Sequence, residues 1–146
     1  MTTMQIVRED PMAGTAQRNA AAVREMYEAL SAGDIERAAR FIAEDAVLHV
    51  PGRSRNTGDY AGRDAILGFV VHAHELTGGT LRLRVHRVLA DDEVAVALTT
   101  YTASRPDGRP PLENNLAHVI RMRDGLVAES WFHTRDQYAV DAFWGD

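Results

Sequence analysis

"REMYEALSAGDIERAARFIAEDAVLHVPG", residues 24–52, holds the changes of pattern that decide the fold. Met26, Tyr27 and Leu30, with Val23 just before them, recur at the spacing of one helical stripe and predict a helix over Thr15–Ala32. Gly33 fits the stop of that helix. Asp34 fits the N-cap of a second, short helix with Ile35, Ala38, Ala39 and Ile42 inward. Ala46–Val50 is a β-prone run that carries a titratable ring, His49, just where Pro51 and Gly52 turn the chain.

Working outward, the turn-prone stretch continues through Gly58 and Gly62, and Arg63–Leu76 predicts a third helix. Its stripe is Ile66, Phe69, Val70 and Ala73, and Thr77–Gly79 ends it. Beyond this point the period falls to two. Leu81, Leu83 and Val85 alternate with Arg82, Arg84 and His86 in a strand over Thr80–Leu89. Val94–Ala103, Leu112–Met122 and Leu126–His133 follow as strands, the last two joined by the hairpin signature Arg123–Gly125. Asp136–Trp144 fits a short closing helix. Helices first and antiparallel strands later define an α+β fold, economically packed as a curved sheet over a long helix.

The 146 residues suit one domain, taken as 14–146, after a loose leader at 1–13. A net charge of -5 and scattered arginines oppose a nucleic-acid partner, since a surface that tracks phosphates is basic. The absence of cysteine excludes a disulfide framework, a Cys-based zinc site and a thiol nucleophile. No stretch approaches the roughly 20 apolar residues of a membrane span, and the expected location is the cytoplasm.

The phrases in residues 24–52, "YAGRDAILGFV" (60–70) and "HVIRMRDGLVAESW" (118–131) resemble the SnoaL-like proteins. That family belongs to the nuclear transport factor 2-like superfamily, together with ketosteroid isomerases and polyketide cyclases. The resemblance covers about residues 17–144. It implies a cone-like, curved antiparallel sheet wrapped over the N-terminal helices, a cystatin-like α+β barrel with a concave, mostly apolar mouth. It also implies a homodimer formed through the outer sheet face, on which Trp131 and Val127 are candidates.

The family's site carries over as follows. The isomerase base, an aspartate near the end of the first strand, corresponds to His49; the second aspartate, which donates to the oxyanion, corresponds to His118. The helix-one tyrosine corresponds to Met26, with Tyr27 one residue off. Both carboxylates and the tyrosine are thus replaced, which argues against steroid isomerisation itself. Two histidines can still divide the work, because imidazole titrates near neutral pH and also donates hydrogen bonds. The resemblance therefore implies a cofactor-independent isomerase, cyclase or hydratase/hydrolase acting on a small apolar carbonyl compound, with His49 as base and His118 as donor. A noncatalytic binder of a small apolar ligand and a dimeric interaction module are the alternatives.

Asn114 shares strand parity with His118, and Tyr27, Phe69 and Tyr101 are candidates to line the cup with it. On the last strand the hairpin count turns Phe132 inward and Trp131 and His133 outward. His72 and His74 lie two apart on a helix and face different ways, so no metal site is expected there.

Overall fold

A computed structural model describes residues 11–146. A long helix, α1 (Pro11–Ser31), is followed by the short α2 (Ile35–Ala39), β1 (Ile42–Val50), β2 (Gly58–Ala61) and α3 (Arg63–Leu76). Then come β3 (Arg82–Ala90), β4 (Val94–Ala103), β5 (Leu112–Arg123), β6 (Leu126–Thr134) and α4 (Gln137–Trp144). The expected leader at 1–13 falls partly on α1, and residues 1–10 lie outside the described residues.

The six strands form one sheet in the order β2-β1-β6-β5-β4-β3. Neighbours are antiparallel except β1 and β6, which run parallel. α1 packs against β3 and β4, and α3 against β1 and β2, so the helices cover one face. The α1 stripe Val23, Met26, Tyr27 and Leu30 is buried as its spacing requires, against Ile42, Val88, Ala97 and Ile120 of the sheet. Asn19 fastens the same helix to the β3–β4 turn, its amide donating to the carbonyls of Asp91 and Asp92 at 3.1 and 3.2 Å.

Two local expectations change. Ile42 does not close the second helix: α2 ends at Ala39, and the buried Ile42 opens β1 four residues before the β-prone run begins. Gly58–Ala61, read as part of a turn, is an edge strand paired with Val47–Val50. Four residues with a glycine at the start carry too little alternation to announce a strand. The caps agree with the sequence. Asp34 accepts from Arg37 N at 3.0 Å, and Asp136 accepts from Ala139 N at 3.1 Å at the start of α4. In the β5–β6 hairpin Asp124 and Gly125 both take positive φ (54° and 76°), the pairing that a two-residue turn of matching twist requires.

Bulges set the inward face. β6 carries one extra residue, Ala128, between the pairs Arg121–Glu129 and Met122–Val127. It turns Val127 into the core, 4% exposed, so Val127 is not part of the outer surface expected for it.

The turn after β1 presses against α4. Gly52 has φ of 103°, and a Cβ there would overlap Asp141 Oδ1 and Gln137 Nε2. Asp141 Oδ1 accepts from Arg53 N at 2.9 Å and from Gln137 Nε2 at 2.9 Å, which fixes the loop against the helix. Gly52→Ala is therefore expected to lower unfolding free energy by about 1–3 kcal/mol, through backbone strain and the displaced Asp141 contact. Urea unfolding of the two proteins side by side measures it.

Candidate ligand-binding site

Between the concave face of the sheet and the helices lies a cavity of about 150 Å³. A cavity of roughly that size in another protein stays dry and holds benzene, so this one has room for a ring-sized molecule. Leu48 and Val50 of β1, Ile66, Phe69 and Val70 of α3, and Phe132 of β6 supply much of its apolar wall. α4 contributes Gln137, Val140 and Trp144. Among the described residues, no Asp, Glu, Lys or Arg lines it.

His118 projects into this cavity from the middle of β5, paired with Ala97 on one side and Phe132 on the other. It is 6% exposed. Tyr27, from the inner face of α1, places its Oη 2.7 Å from His118 Nδ1. The Phe132 ring meets the imidazole edge-on, with centroids 4.8 Å apart. Burial pushes the His118 pKa down to about 3, so the ring is neutral across the physiological range. Burial also raises the Tyr27 pKa, with a hydrogen bond from Thr99 acting the other way, so Tyr27 stays a phenol. His118 Nε2 is buried and has no partner. Buried polar atoms without a partner are few in native proteins, and this one belongs to a side chain that lines the cavity.

A second polar group lies further along the same strand. Asn114 stands opposite Tyr101 in the β4–β5 ladder, and both line the cavity. Trp144 Nε1 donates to Tyr101 Oη at 2.8 Å. Burial raises the Tyr101 pKa, while hydrogen bonds from Trp144 and Asn114 act against it. Asn114 is 3% exposed, and its Oδ1 has no partner.

Met26, Tyr27, Phe69, Tyr101, Asn114, His118 and Phe132 thus share one cavity. The helix-one tyrosine needs a correction of one residue, since Tyr27 rather than Met26 carries the polar contact to His118.

His49 is the larger correction. It does not line the cavity; its neighbours Leu48 and Val50 do. Leu48 pairs with the buried Ser130, and His49 pairs with Trp131, so the ring lies on the outer face of the sheet. There its Nδ1 is 2.7 Å from Asp59 Oδ1 and its Nε2 is 2.7 Å from Glu129 Oε2. The Trp131 ring stacks on it, with centroids 5.4 Å apart and planes 17° from parallel. The hydrogen bonds to Glu129 and then Asp59 raise the His49 pKa. Both ring nitrogens are occupied by structural partners, so His49 has no free face for a base in the cavity.

Trp144 and Thr99 were not foreseen at the site. Thr99 shares parity with Tyr101, which was a usable signal. Trp144 had none, because only the tertiary placement of α4 brings it to Tyr101. The remaining histidines stay apart: His86 Nε2 meets Thr100 Oγ1 at 2.6 Å on the outer face, and His133 is exposed there. Among the described residues, no cluster of three or more His, Asp or Glu side chains could hold a metal ion, and no helix is long and apolar enough to cross a membrane.

A curved sheet closing over helices around an apolar cavity with a buried imidazole defines a small α+β barrel of the cystatin-like kind. Residues 23–130 match the SnoaL-like domain family, and the chain belongs to it. Bal32a, from a soil-derived mobile gene cassette, is similar at 34% identity over 89% of this chain and 98% of its own, with a TM-score of 0.85. A nuclear transport factor 2-like protein from Burkholderia xenovorans LB400 is 19% identical over 89% of this chain and 98% of its own, with a TM-score of 0.75. TerC, co-crystallised with polyporic acid, is 21% identical over 86% and 97%, also with a TM-score of 0.75. The last two support the fold alone. Among curated proteins none matches the sequence.

The two histidines of the expected pair oppose each other in pH. The raised His49 pKa gives stability that is whole below the ordinary imidazole value of 6.5 and is lost as pH rises through the folded value. Glu129, held low first by its hydrogen bond to His49, gives stability that is present above its ordinary 4.5 and lost as pH falls. The melting-temperature gap between the protein and His49→Gln is therefore expected to be widest at about pH 5–6 and to close in alkali. In a ring-proton NMR titration, His49 is expected to titrate above 6.5, while His118 does not move down to about pH 5.

Proposed function

We propose that the protein binds a small, uncharged, apolar carbonyl compound in the cavity under its sheet, with His118 donating a hydrogen bond to the carbonyl oxygen. The observation that carries this reading is the neutral, buried imidazole that lines a cavity without charged walls among the described residues and whose Nε2 has no partner. With the Tyr27 hydroxyl donating to His118 Nδ1 across their 2.7 Å contact, the ring proton sits on Nε2. A carbonyl oxygen satisfies that donor, and an apolar body fills the rest. The lack of any charged lining residue among the described residues disfavours an ionic ligand, whose charge would be buried unpaired.

Catalysis of proton transfer is the second reading, favoured by membership of the SnoaL-like family. With His49 on the outer face, His118 is the one imidazole left to move a proton. A folded pKa of about 3 makes it a weak base, so the donor role is the better match to its surroundings. The expected pairing of two copies remains part of the proposal. Leu89 and Leu98, 48% and 36% exposed on the outer face, are where a second copy would bury apolar surface, and sedimentation equilibrium measures it.

Acetophenone and ethylbenzene, alike in size but differing in the carbonyl, test the binding reading. The native protein is expected to prefer acetophenone by about tenfold, and His118→Leu to lose the preference while keeping ethylbenzene. Equal affinity of the native protein for the two compounds would refute the donor role. Exchange of the acetophenone methyl protons in D₂O, followed by NMR, decides the second reading. Exchange that needs the native protein and stops in His118→Leu would make it an enzyme.

A further inference from the structure

Asn114 lies four residues before His118 on β5, so its Cα is about 13 Å away along the strand and on the same face. Both side chains line one cavity, and each keeps a single buried polar atom without a partner, Oδ1 of Asn114 and Nε2 of His118. The cavity therefore has a polar group at each of two separated points, with Leu116 between them. One carbonyl satisfies only one of these.

The hydrogen-bond order at the second point differs from that at the first. Trp144 Nε1 can only donate, and it donates to Tyr101 Oη at 2.8 Å. Tyr101 Oη thus accepts from the indole and keeps its own proton to give away. Asn114 Oδ1 is left as an acceptor. A group that fits both must donate to Asn114 and accept from Tyr101, which describes a hydroxyl.

We propose that the cavity selects ring compounds with a carbonyl at one end and a hydroxyl at the opposite end, and that Asn114 is the residue that recognises the hydroxyl. This rests on the binding reading above and adds to it the far end of the ligand. Tyr101 and Trp144 act as positioning residues. Trp144 is the last residue of α4, and the carbonyls around it are clamped from the β4–β5 loop. Arg105 donates to Phe143 O at 2.9 Å, and Arg109 donates to Phe143 O and Gly145 O at 2.8 and 2.7 Å. That clamp holds the indole where it orients Tyr101, the residue opposite Asn114 in the β4–β5 ladder. Among the described residues no lysine or arginine lines the cavity, so a carboxylate at the second point is disfavoured and the hydroxyl is met as a neutral group.

The test compares acetophenone, 4-hydroxyacetophenone and 4-methoxyacetophenone by calorimetry on the native protein, Asn114→Leu and Tyr101→Phe. The hydroxyl is expected to improve native affinity about tenfold over acetophenone. The methoxy group, which cannot donate, is expected to bring no gain. Asn114→Leu is expected to erase the hydroxyl's gain and leave acetophenone affinity within about threefold; Tyr101→Phe is expected to reduce that gain without removing it. The ratio of the two affinities is a reading that a loosened fold would not move selectively. If Asn114→Leu does not fold, Asn114→Ser makes the same comparison. A native protein that binds acetophenone but gains nothing from the hydroxyl would overturn the second recognition point and leave the His118 reading intact. So would an undiminished gain in the Asn114 variant. A native protein that binds none of the three ketones would overturn both.

Discussion

The 2.7 Å contact between Tyr27 and His118 joins the longest helix to the middle of the sheet, and the arrangement of the cavity follows from it. A polar ring in an apolar core is costly unless it is bonded. Here one nitrogen is bonded by the helix, and desolvation settles the other question by keeping the ring uncharged. The imidazole is then a rigid, neutral side chain with one polar atom to spare. Its rotamer is confined by Phe132 at its edge and by the helix in front, so the spare atom has a fixed direction.

His49 shows what the same side chain becomes on the other face of the sheet. Two carboxylates occupy its nitrogens, Trp131 covers its plane, and its pKa moves up where that of His118 moves down. The contacts join the edge strand β2, through Asp59, to β6, through Glu129, across the β1 strand between them. Arg121 adds a further, longer contact to Glu129 at 3.4 Å. The ring that seemed the better candidate for chemistry is a structural cross-tie. The residue type carries no assignment of role; the surrounding charges and solvent access do.

The architecture was largely legible because its signals are local. The stripe at Val23, Met26, Tyr27 and Leu30, the strand alternation, the Asp-Gly hairpin and the caps at Asp34 and Asp136 each follow from short-range rules. The site was legible in its lining, since Asn114 and His118 share parity on a strand whose inward side is otherwise apolar. His49 failed for a reason visible in the chain. In Ala46–Val50 the small or aliphatic residues Ala46, Leu48 and Val50 alternate with Val47 and His49, and parity alone puts the histidine outward. The resemblance to the family's base position pointed the other way. The parallel pairing of β1 with β6, the bulge at Ala128 and the crossing of α4 over the cavity depend on contacts between distant segments. No window of sequence contains them.

The absence of a carboxylate from the cavity lining, among the described residues, limits what chemistry the site can do. A base that takes a proton beside a carbonyl works best when its pKa lies near the working pH. Tyr27 and Tyr101 are held above their ordinary range by burial, and His118 is held far below its own, so each favours its uncharged form. The same desolvation that removes a base strengthens a donor, because a hydrogen bond offered in a medium of low dielectric is not contested by water. Such a cavity is suited to gripping and polarising a carbonyl. To become a good proton acceptor, His118 would need a negative charge close to the ring. The lining provides none among the described residues, and the carboxylates of Asp59 and Glu129 are committed to His49 on the far side of the sheet.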